Sequence, residues 1–348
     1  MGERQQPLVS VIIPAYRAAS YIRETLDSVF AQTYPNLEVV LVNDGSPDTE
    51  ALEDAIRTYG ERLIYIRQEN RGPSGARNTA IRAAQGKYIA CLDSDDLYLP
   101  DHLANMVAFI EEEGLDLLYC DSYLVKNGIQ IGRTFERERQ ISPVTFESLL
   151  RVDCCVSTST TVASRQAMID AGLFDERYRR CEDFDLWLRM SFRGAKMDFV
   201  RRVGVEHRLL PTGLAADGQL LREARIEIYR KTSASLPLSA AQQAIIAAMI
   251  AWNEGTCQTS LVKRYVREGR YPEARVAADK AAVLLQDGKS RRIALAVQIA
   301  PWAVRRFLRL QEARLARKGK QRGGSNRSGP SEGGSIKIEA RDLETKET

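Results

Sequence analysis

Tyr88-Ile89-Ala90-Cys91-Leu92-Asp93-Ser94-Asp95-Asp96 is the stretch on which the fold of this chain turns. A short apolar run, entered from Gly86-Lys87, passes directly into three carboxylates. The run has the length and composition of a buried strand. In an open α/β sheet, ligands collect just beyond the carboxyl ends of the strands. Carboxylates placed there suit a hard divalent cation, because Mg²⁺ and Mn²⁺ prefer oxygen ligands and leave room for substrate phosphates. The plainer alternative is an acidic strand end that turns the chain and caps the next helix, where Asp is common.

Working outward, the same alternation repeats. Leu8 to Ile13 is a β-branched run stopped by Pro14, followed by a helix with Ile22, Leu26, Val29 and Phe30 on one face. Glu38 to Val42 is a second buried strand, ending in Asn43-Asp44-Gly45-Ser46. A helix over 48–60, a strand from Leu63 to Ile66, a loop from Glu69 to Gly75 and a helix through Ala84 lead to the acidic strand. Beyond it come a helix carrying Leu103, Met106, Val107 and Ile110, and a strand from Asp116 to Cys120. Strand–helix alternation predicts an α/β fold, a mostly parallel sheet with helices on both faces.

The rhythm then changes. Asn127-Gly128 between two extended runs is a hairpin signal. A helix near 145–151, an extended Ser157–Val162 run, a helix opening at Glu182-Asp183 and a strand over Lys196–Val200 follow. From about residue 217 the chain is helical, with segments predicted at 217–232, 239–255, 257–268, 272–286 and 290–318.

With 348 residues, about two domains are expected at ~100–200 residues each. The net charge of +4 excludes nothing by itself. Six scattered cysteines without a metal-type pair imply reduced thiols in the cytoplasm. No stretch approaches the ~20 apolar residues that cross a bilayer, and the start lacks a signal-peptide run. A dinucleotide-binding site is excluded, since the first strand ends in Pro14-Ala15-Tyr16 rather than in glycines. A Walker loop is missing too, and the paired Asp93 and Asp95 follow the fourth strand, not the first as in an aspartyl-phosphate phosphatase. A nucleotidyltransferase is disfavoured for lack of a glycine-rich loop after the first strand.

Five motifs remain, in this order: Val9-Ser-Val-Ile-Ile-Pro14-Ala15-Tyr16, Val42-Asn-Asp44-Gly45-Ser46, Asn70-Arg71-Gly72-Pro-Ser-Gly75-Ala76-Arg77-Asn78, Leu92-Asp93-Ser94-Asp95-Asp96 and Glu182-Asp183-Phe-Asp185-Leu-Trp187. Together they resemble the family 2 glycosyltransferases, inverting enzymes of the GT-A type fold. The resemblance covers residues 7–215 and implies a GT-A type nucleotide-diphospho-sugar transferase sheet. A helical C-terminal domain over 216–320 and a disordered tail over 321–348 would follow.

The resemblance implies transfer of a sugar from a nucleotide diphosphate, UDP-linked, to a hydroxyl of a glycan or lipid-linked acceptor in cell-surface polysaccharide synthesis. Pro14, Ala15 and Tyr16 would wall the base and ribose, Asp44 would accept from uracil, and Arg71 and Gly72 would flank it. Arg77 and Arg208 would face phosphate. Asp93 and Ser94 would hold donor, and Asp95 with Asp93 would hold Mn²⁺ or Mg²⁺. Asp183 would be the base, Glu182 would orient the acceptor or support the loop, and Trp187 would line the acceptor side. Each has a plain alternative: a tight turn at Asp44, solvated charge at the arginines, core packing at Trp187. One departure stands out. The family's Tyr-Arg-x-His segment aligns with His207-Arg208-Leu209-Leu210, so leucine occupies the histidine position. His207 would reach a metal only through a shifted loop. That departure is what favours a rival, a non-catalytic nucleotide-sugar scaffold or sensor.

The segment 290–322 combines an apolar stripe with a basic cluster, which suits either an anionic membrane surface or packing on the helical domain. Nucleic acid is not expected, since no recognition module accompanies the charge. A cytoplasmic protein, peripheral on the inner face of the plasma membrane, is the resulting expectation.

Overall fold

The computed structural model describes residues 6–210, 213 and 217–322, with backbone alone for 312, 313 and 315–322. Packing divides the chain into two compact units, Met1–Ala224 and Arg225–Thr348. The predicted tail from residue 323 onward lies outside the described residues, while 321 and 322 close the last helix.

The first unit opens with β1 (Val9–Ala15), α1 (Ile22–Phe30), β2 (Leu37–Asp44), α2 (Thr49–Ile56), β3 (Ile64–Gln68), α3 (Gly72–Ala83) and β4 (Tyr88–Cys91). Strands β3, β2, β1 and β4 lie side by side and parallel. β1 is buried along almost its whole length because both faces of a parallel sheet are covered. Ile22, Leu26 and Val29 of α1 pack with Val9, Val11 and Ile13 in one core.

Pro14 does not end β1; it pairs across from Val42. Leu92 N–H donates to Ile12 O, so even-numbered residues of β1 face β4, and β4 pairing stops at Ile12–Cys91. Pro14 therefore sits past the end of that ladder, where no donor is needed. The predicted loop 69–75 is shorter than expected. Gly72 already begins α3, with Pro73 in the first turn, where its lost N–H has no helical partner anyway.

The remainder of the unit is β5 (Leu97–Tyr98), α4 (His102–Glu113), β6 (Leu117–Lys126), β7 (Ile129–Arg133), α5 (Thr134–Arg137), α6 (Phe146–Leu150), β8 (Thr161–Ser164), α7 (Arg165–Asp170), α8 (Glu182–Phe192) and β9 (Met197–Arg208). The Asn127-Gly128 hairpin joins β6 to β7, both turn residues taking positive φ. β8 inserts antiparallel between β4 and β6, β9 runs parallel to β6, and β5 is antiparallel to β9. The sheet is therefore mixed, not mostly parallel. Its second half uses short antiparallel returns that need no crossover helix. Two antiparallel steps through β8 leave β6 and β9 running with β4. The carboxyl ends of β1, β2, β4 and β9 consequently lie along one edge.

The second unit follows α9 (Gly218–Ser235), which spans the division, and contains α10 (Ala240–Glu268), α11 (Tyr271–Leu285), α12 (Gly288–Ile299) and α13 (Pro301–Arg322). Val262, Val266, Ala274, Ala278, Val297 and Leu308 form its core. The predicted break at 255–257 is absent: α10 runs straight through. A Cβ on Gly255 would lie 2.6 Å from Leu285 Cγ, so this glycine admits α11 instead of ending a helix. The single helix predicted over 290–318 is two, broken at Ala300–Pro301, since proline cannot continue a helix without losing a hydrogen bond.

Candidate active site

The edge formed by the strand ends collects most of the residues that the sequence singles out. At the end of β2, Asp44 is buried, and its Oδ1 accepts from Arg71 N–H at 2.8 Å and Gln68 Nε2 at 2.7 Å. That carboxylate therefore ties the β2 end to the start of α3. Gly45 permits the crossing, with φ of +62° and a hypothetical Cβ only 2.7 Å from Asn70 N. The Arg71 side chain turns to Glu176 at 2.7 Å, and Asn78 Nδ2 holds the same carboxylate at 3.0 Å. Ala15 is fully buried, while Tyr16 is half-exposed beside it.

Asp93 follows β4, and its N–H donates to Ser159 Oγ at 3.1 Å. Ser94 O accepts from Thr25 Oγ1 at 2.9 Å, which fixes the turn against α1. Arg77, projecting from α3 and almost fully buried, donates to Asp93 Oδ1 and to Glu182 Oε1, both at 2.6 Å. Burial works against its charge, but the two carboxylates outweigh it and hold the guanidinium protonated. The expectation that Arg77 faces phosphate is thus corrected. Its helix directs it inward, where it pairs with buried Glu182 and half-buried Asp93.

Asp96 is buried, its Oδ1 accepting from Arg208 N–H at 2.9 Å and its Oδ2 lying 3.1 Å from His207 Nδ1. Burial lowers the His207 pKa, yet Asp96, with Asp93 and Asp95, raises it to about 9. His207 is accordingly an imidazolium at neutral pH, paired with Asp96. Arg208 donates through Nε to Asp95 O and through Nη1 to Glu24 Oε2. Its Nη2 is buried without a hydrogen-bond partner.

Burial first, then Asp96 and Asp93, push the Asp95 carboxyl up to about 7. Crowded carboxylates of this kind suit a cation. Among the described residues no three His, Cys, Asp or Glu side chains converge as a complete metal site. Two carboxylates from Asp93 and Asp95 nonetheless match the partial donor set typical of Mg²⁺ or Mn²⁺, which phosphate oxygens and water complete. The residues present fit the group.

At the first turn of α8, Asp183 Oδ2 accepts from Thr158 Oγ1 at 3.1 Å and Oδ1 from Phe184 N–H at 2.8 Å. Burial and neighbouring Glu182 push its carboxyl up to about 6. A carboxylate tuned there is an effective proton acceptor near neutral pH. Trp187 does not line an acceptor pocket. It is 1% exposed and meets Phe174 edge-on at a 6.1 Å centroid separation. One helical turn beyond Asp183, it points into the core behind the site. Asp185 pairs with Arg189 at 2.8 Å, which anchors α8.

The structure thus joins Asp44 with Arg71, Asp93 with Arg77 and Glu182, and Asp95 and Asp96 with Arg208. Sequence reasoning missed Glu24, Thr158, Ser159 and Glu176. The Ser/Thr-rich run at 157–161 was the available signal for two of them.

The family model described as "Glycosyl transferase family 2" matches residues 10–169. The uncharacterized glycosyltransferase RP339 of Rickettsia prowazekii is 32% identical over 208 residues, 58% of this chain and 64% of that protein. The aligned part spans less than two thirds of the length of the Rickettsia relatives, down to 30% for the one from Rickettsia bellii. The UDP-Glc:alpha-D-GlcNAc-diphosphoundecaprenol beta-1,3-glucosyltransferase WfaP of Escherichia coli is 29% identical over 222 residues, 63% of this chain and 85% of that protein. Among solved structures, S. aureus TarS 1-349 in complex with UDP-GlcNAc superposes with a TM-score of 0.59 at 18% identity, covering 92% of this chain and 93% of that one. The mannosyltransferase PcManGT from Pyrobaculum calidifontis, in complex with GDP-Man and Mn²⁺, gives 0.55 at 22% identity, covering 86% and 87%. Residues 10–169 match the model of glycosyl transferase family 2, and the sheet that carries them has the GT-A type fold.

Proposed function

We propose that this chain is an inverting glycosyltransferase that moves a sugar from a UDP-linked donor to a hydroxyl of a glycan or lipid-linked acceptor. Its place is the cytoplasmic side of cell-surface polysaccharide synthesis. One observation carries the reading: the Asp183 carboxyl, raised to about 6, stands beside the Glu182–Arg77–Asp93 chain that leads to the β4 carboxylates. A proton acceptor and a donor-binding edge are thereby built into one network. WfaP, whose name gives UDP-Glc as donor and a diphosphoundecaprenol-linked acceptor, supports the donor and acceptor classes.

Asp44, held by Gln68 and Arg71, presents its carboxylate to the uracil imide N–H. Pro14 and Tyr16 border the base and ribose, fully buried Ala15 backs them from within the sheet, and Arg71 and Gly72 lie opposite. Asp93 and Asp95 would hold Mg²⁺ or Mn²⁺, which when bound supplies positive charge against the diphosphate. Arg208, with its unpartnered Nη2, adds fixed positive charge on the same side. The acceptor oxygen forms its bond to the anomeric carbon as the bond from that carbon to the diphosphate oxygen breaks. Asp183 takes the hydroxyl proton from the face opposite the leaving group. Arg77 keeps Glu182 and Asp93 in place during this exchange through its two hydrogen bonds.

The test is thermal stability against a panel of nucleotide sugars, with Mn²⁺ and with EDTA. A ligand that binds the folded state raises apparent stability. A Mn²⁺-dependent rise with one UDP-sugar is the expected result. A rise with GDP-sugars alone would overturn the uridine reading, and no rise with any nucleotide would overturn the transferase reading.

A further inference from the structure

The second unit carries a surface that transfer chemistry does not use. On α12, Leu295 and Ile299 are 60% and 72% exposed, one turn apart on the outer face. On α13, Trp302, Phe307 and Leu310 are likewise exposed, at 64%, 61% and 54%. A cleft of about 480 Å³ opens between the two helices, walled by Ile293, Ala296, Ala303, Val304 and Phe307, with Arg292 and Lys289 beside them. Inner-face residues Ala294, Val297 and Leu308 are buried in the core of this unit, so the helices are already seated. The outward apolar residues are surplus to that packing, and so large an exposed group normally marks an interaction site.

Charge decides what covers it. Residues 288–311 contain Lys289, Arg291, Arg292, Arg305, Arg306 and Arg309 and no acidic residue. By helical spacing, Arg291 and Arg292 flank Leu295, and Arg306 lies one turn from both Trp302 and Leu310. A second copy of the chain meeting this face symmetrically would set these like charges against each other. An acidic, apolar-bearing surface complements them, and a bilayer interface with anionic headgroups is such a surface. No helix among the described residues is long and apolar enough to cross a membrane, so the contact is with the plane of the interface.

We infer that the outer face of α12 and α13 docks on an anionic lipid bilayer, with Leu295, Ile299, Trp302, Phe307 and Leu310 at the headgroup–acyl boundary. Arginines beside them meet lipid phosphates. The break at Ala300–Pro301 distributes the exposed apolar residues over two helices. This inference is independent of the transfer reading, since it concerns a different unit and a different ligand.

The experiment is co-sedimentation of the full chain with phosphatidylcholine vesicles, with and without phosphatidylglycerol. Binding only to the anionic vesicles, weakening with salt, is expected. Arg306→Glu/Arg309→Glu should lower partitioning by at least about thirtyfold, since each basic residue near the surface contributes about 1 kcal/mol. Trp302→Ser/Phe307→Ser should lower it at least about tenfold. Both variants alter exposed side chains, and a retained thermal transition with unchanged nucleotide-sugar binding verifies their fold. Equal binding to neutral vesicles, no binding to either kind, or binding unchanged in both variants would overturn the inference. A dimer that the same variants dissolve, without vesicle binding, would assign the face to a second copy and overturn it equally.

Discussion

The parallel half of the sheet, β3-β2-β1-β4, and the mixed half, β8-β6-β9-β5, contribute to the site in different ways. The parallel half supplies carboxylates directly from its strand ends: Asp44 from β2, and Asp93 with Asp95 after β4. The mixed half supplies supports and partners: Ser159 and Thr158 before β8, and His207 and Arg208 at the end of β9. Arg77 joins the two, since it leaves α3 in the parallel half and ends on both Asp93 and Glu182. A carboxylate edge thus follows from strand direction alone, whereas its partners depend on how distant segments are stitched back onto it.

The strongest way to separate the halves is Asp183→Asn. Turnover should fall 10²–10⁴-fold, as for loss of a general base, while nucleotide-sugar affinity stays unchanged. Initial rates alongside calorimetric titration check this, and retained turnover would remove Asp183 as base. Next is the link itself. Arg77→Met leaves buried Glu182 without its cation and Asp93, about a third exposed, without its partner, which should cost about 3 kcal/mol of stability. Urea unfolding measures it, and Arg77→Met/Glu182→Gln should recover part of the loss. A smaller effect concerns pH. Asp183 must be ionised to accept a proton, and its carboxyl is raised to about 6. Turnover should therefore be full above that value and fall about tenfold per pH unit below it. A profile flat down to pH ~4.5 would contradict the raised carboxyl, which in an ordinary Asp titrates near 3.9. The smallest effect belongs to the parallel half. Gly45→Ala places a Cβ 2.7 Å from Asn70 N at a φ of +62°, for a loss of about 1–2 kcal/mol. A thermal melt suffices, and a neutral result would show that the β2–α3 crossing gives way easily.

The same contrast explains what was legible in the sequence. Strands of the parallel half are continuous apolar runs, and their acidic ends are visible without any tertiary knowledge. The strand-end positions of Asp44, Asp93 and Asp95 were therefore readable. Arg77 was misjudged because its partners are Asp93 and the far more distant Glu182, a pairing that no local pattern encodes. Trp187 was misjudged because a helix carries both a site face and a core face, and only the packing of Phe174 against it decides which one it occupies. Gly255 resembled a helix end but serves as a gap for Leu285. In each case the local signal was real and a long-range contact determined its meaning.

On the proposed reading, Asp93 and Asp95 make the strand edge a cation-assisted nucleotide-diphosphate site. Calorimetric titration of UDP into the wild type and into Asp95→Ala, each with Mn²⁺ and with EDTA, tests it most directly. The account predicts UDP binding that strengthens at least about tenfold with Mn²⁺ in the wild type and loses that gain in Asp95→Ala. Equal Mn²⁺ enhancement in both proteins would contradict it.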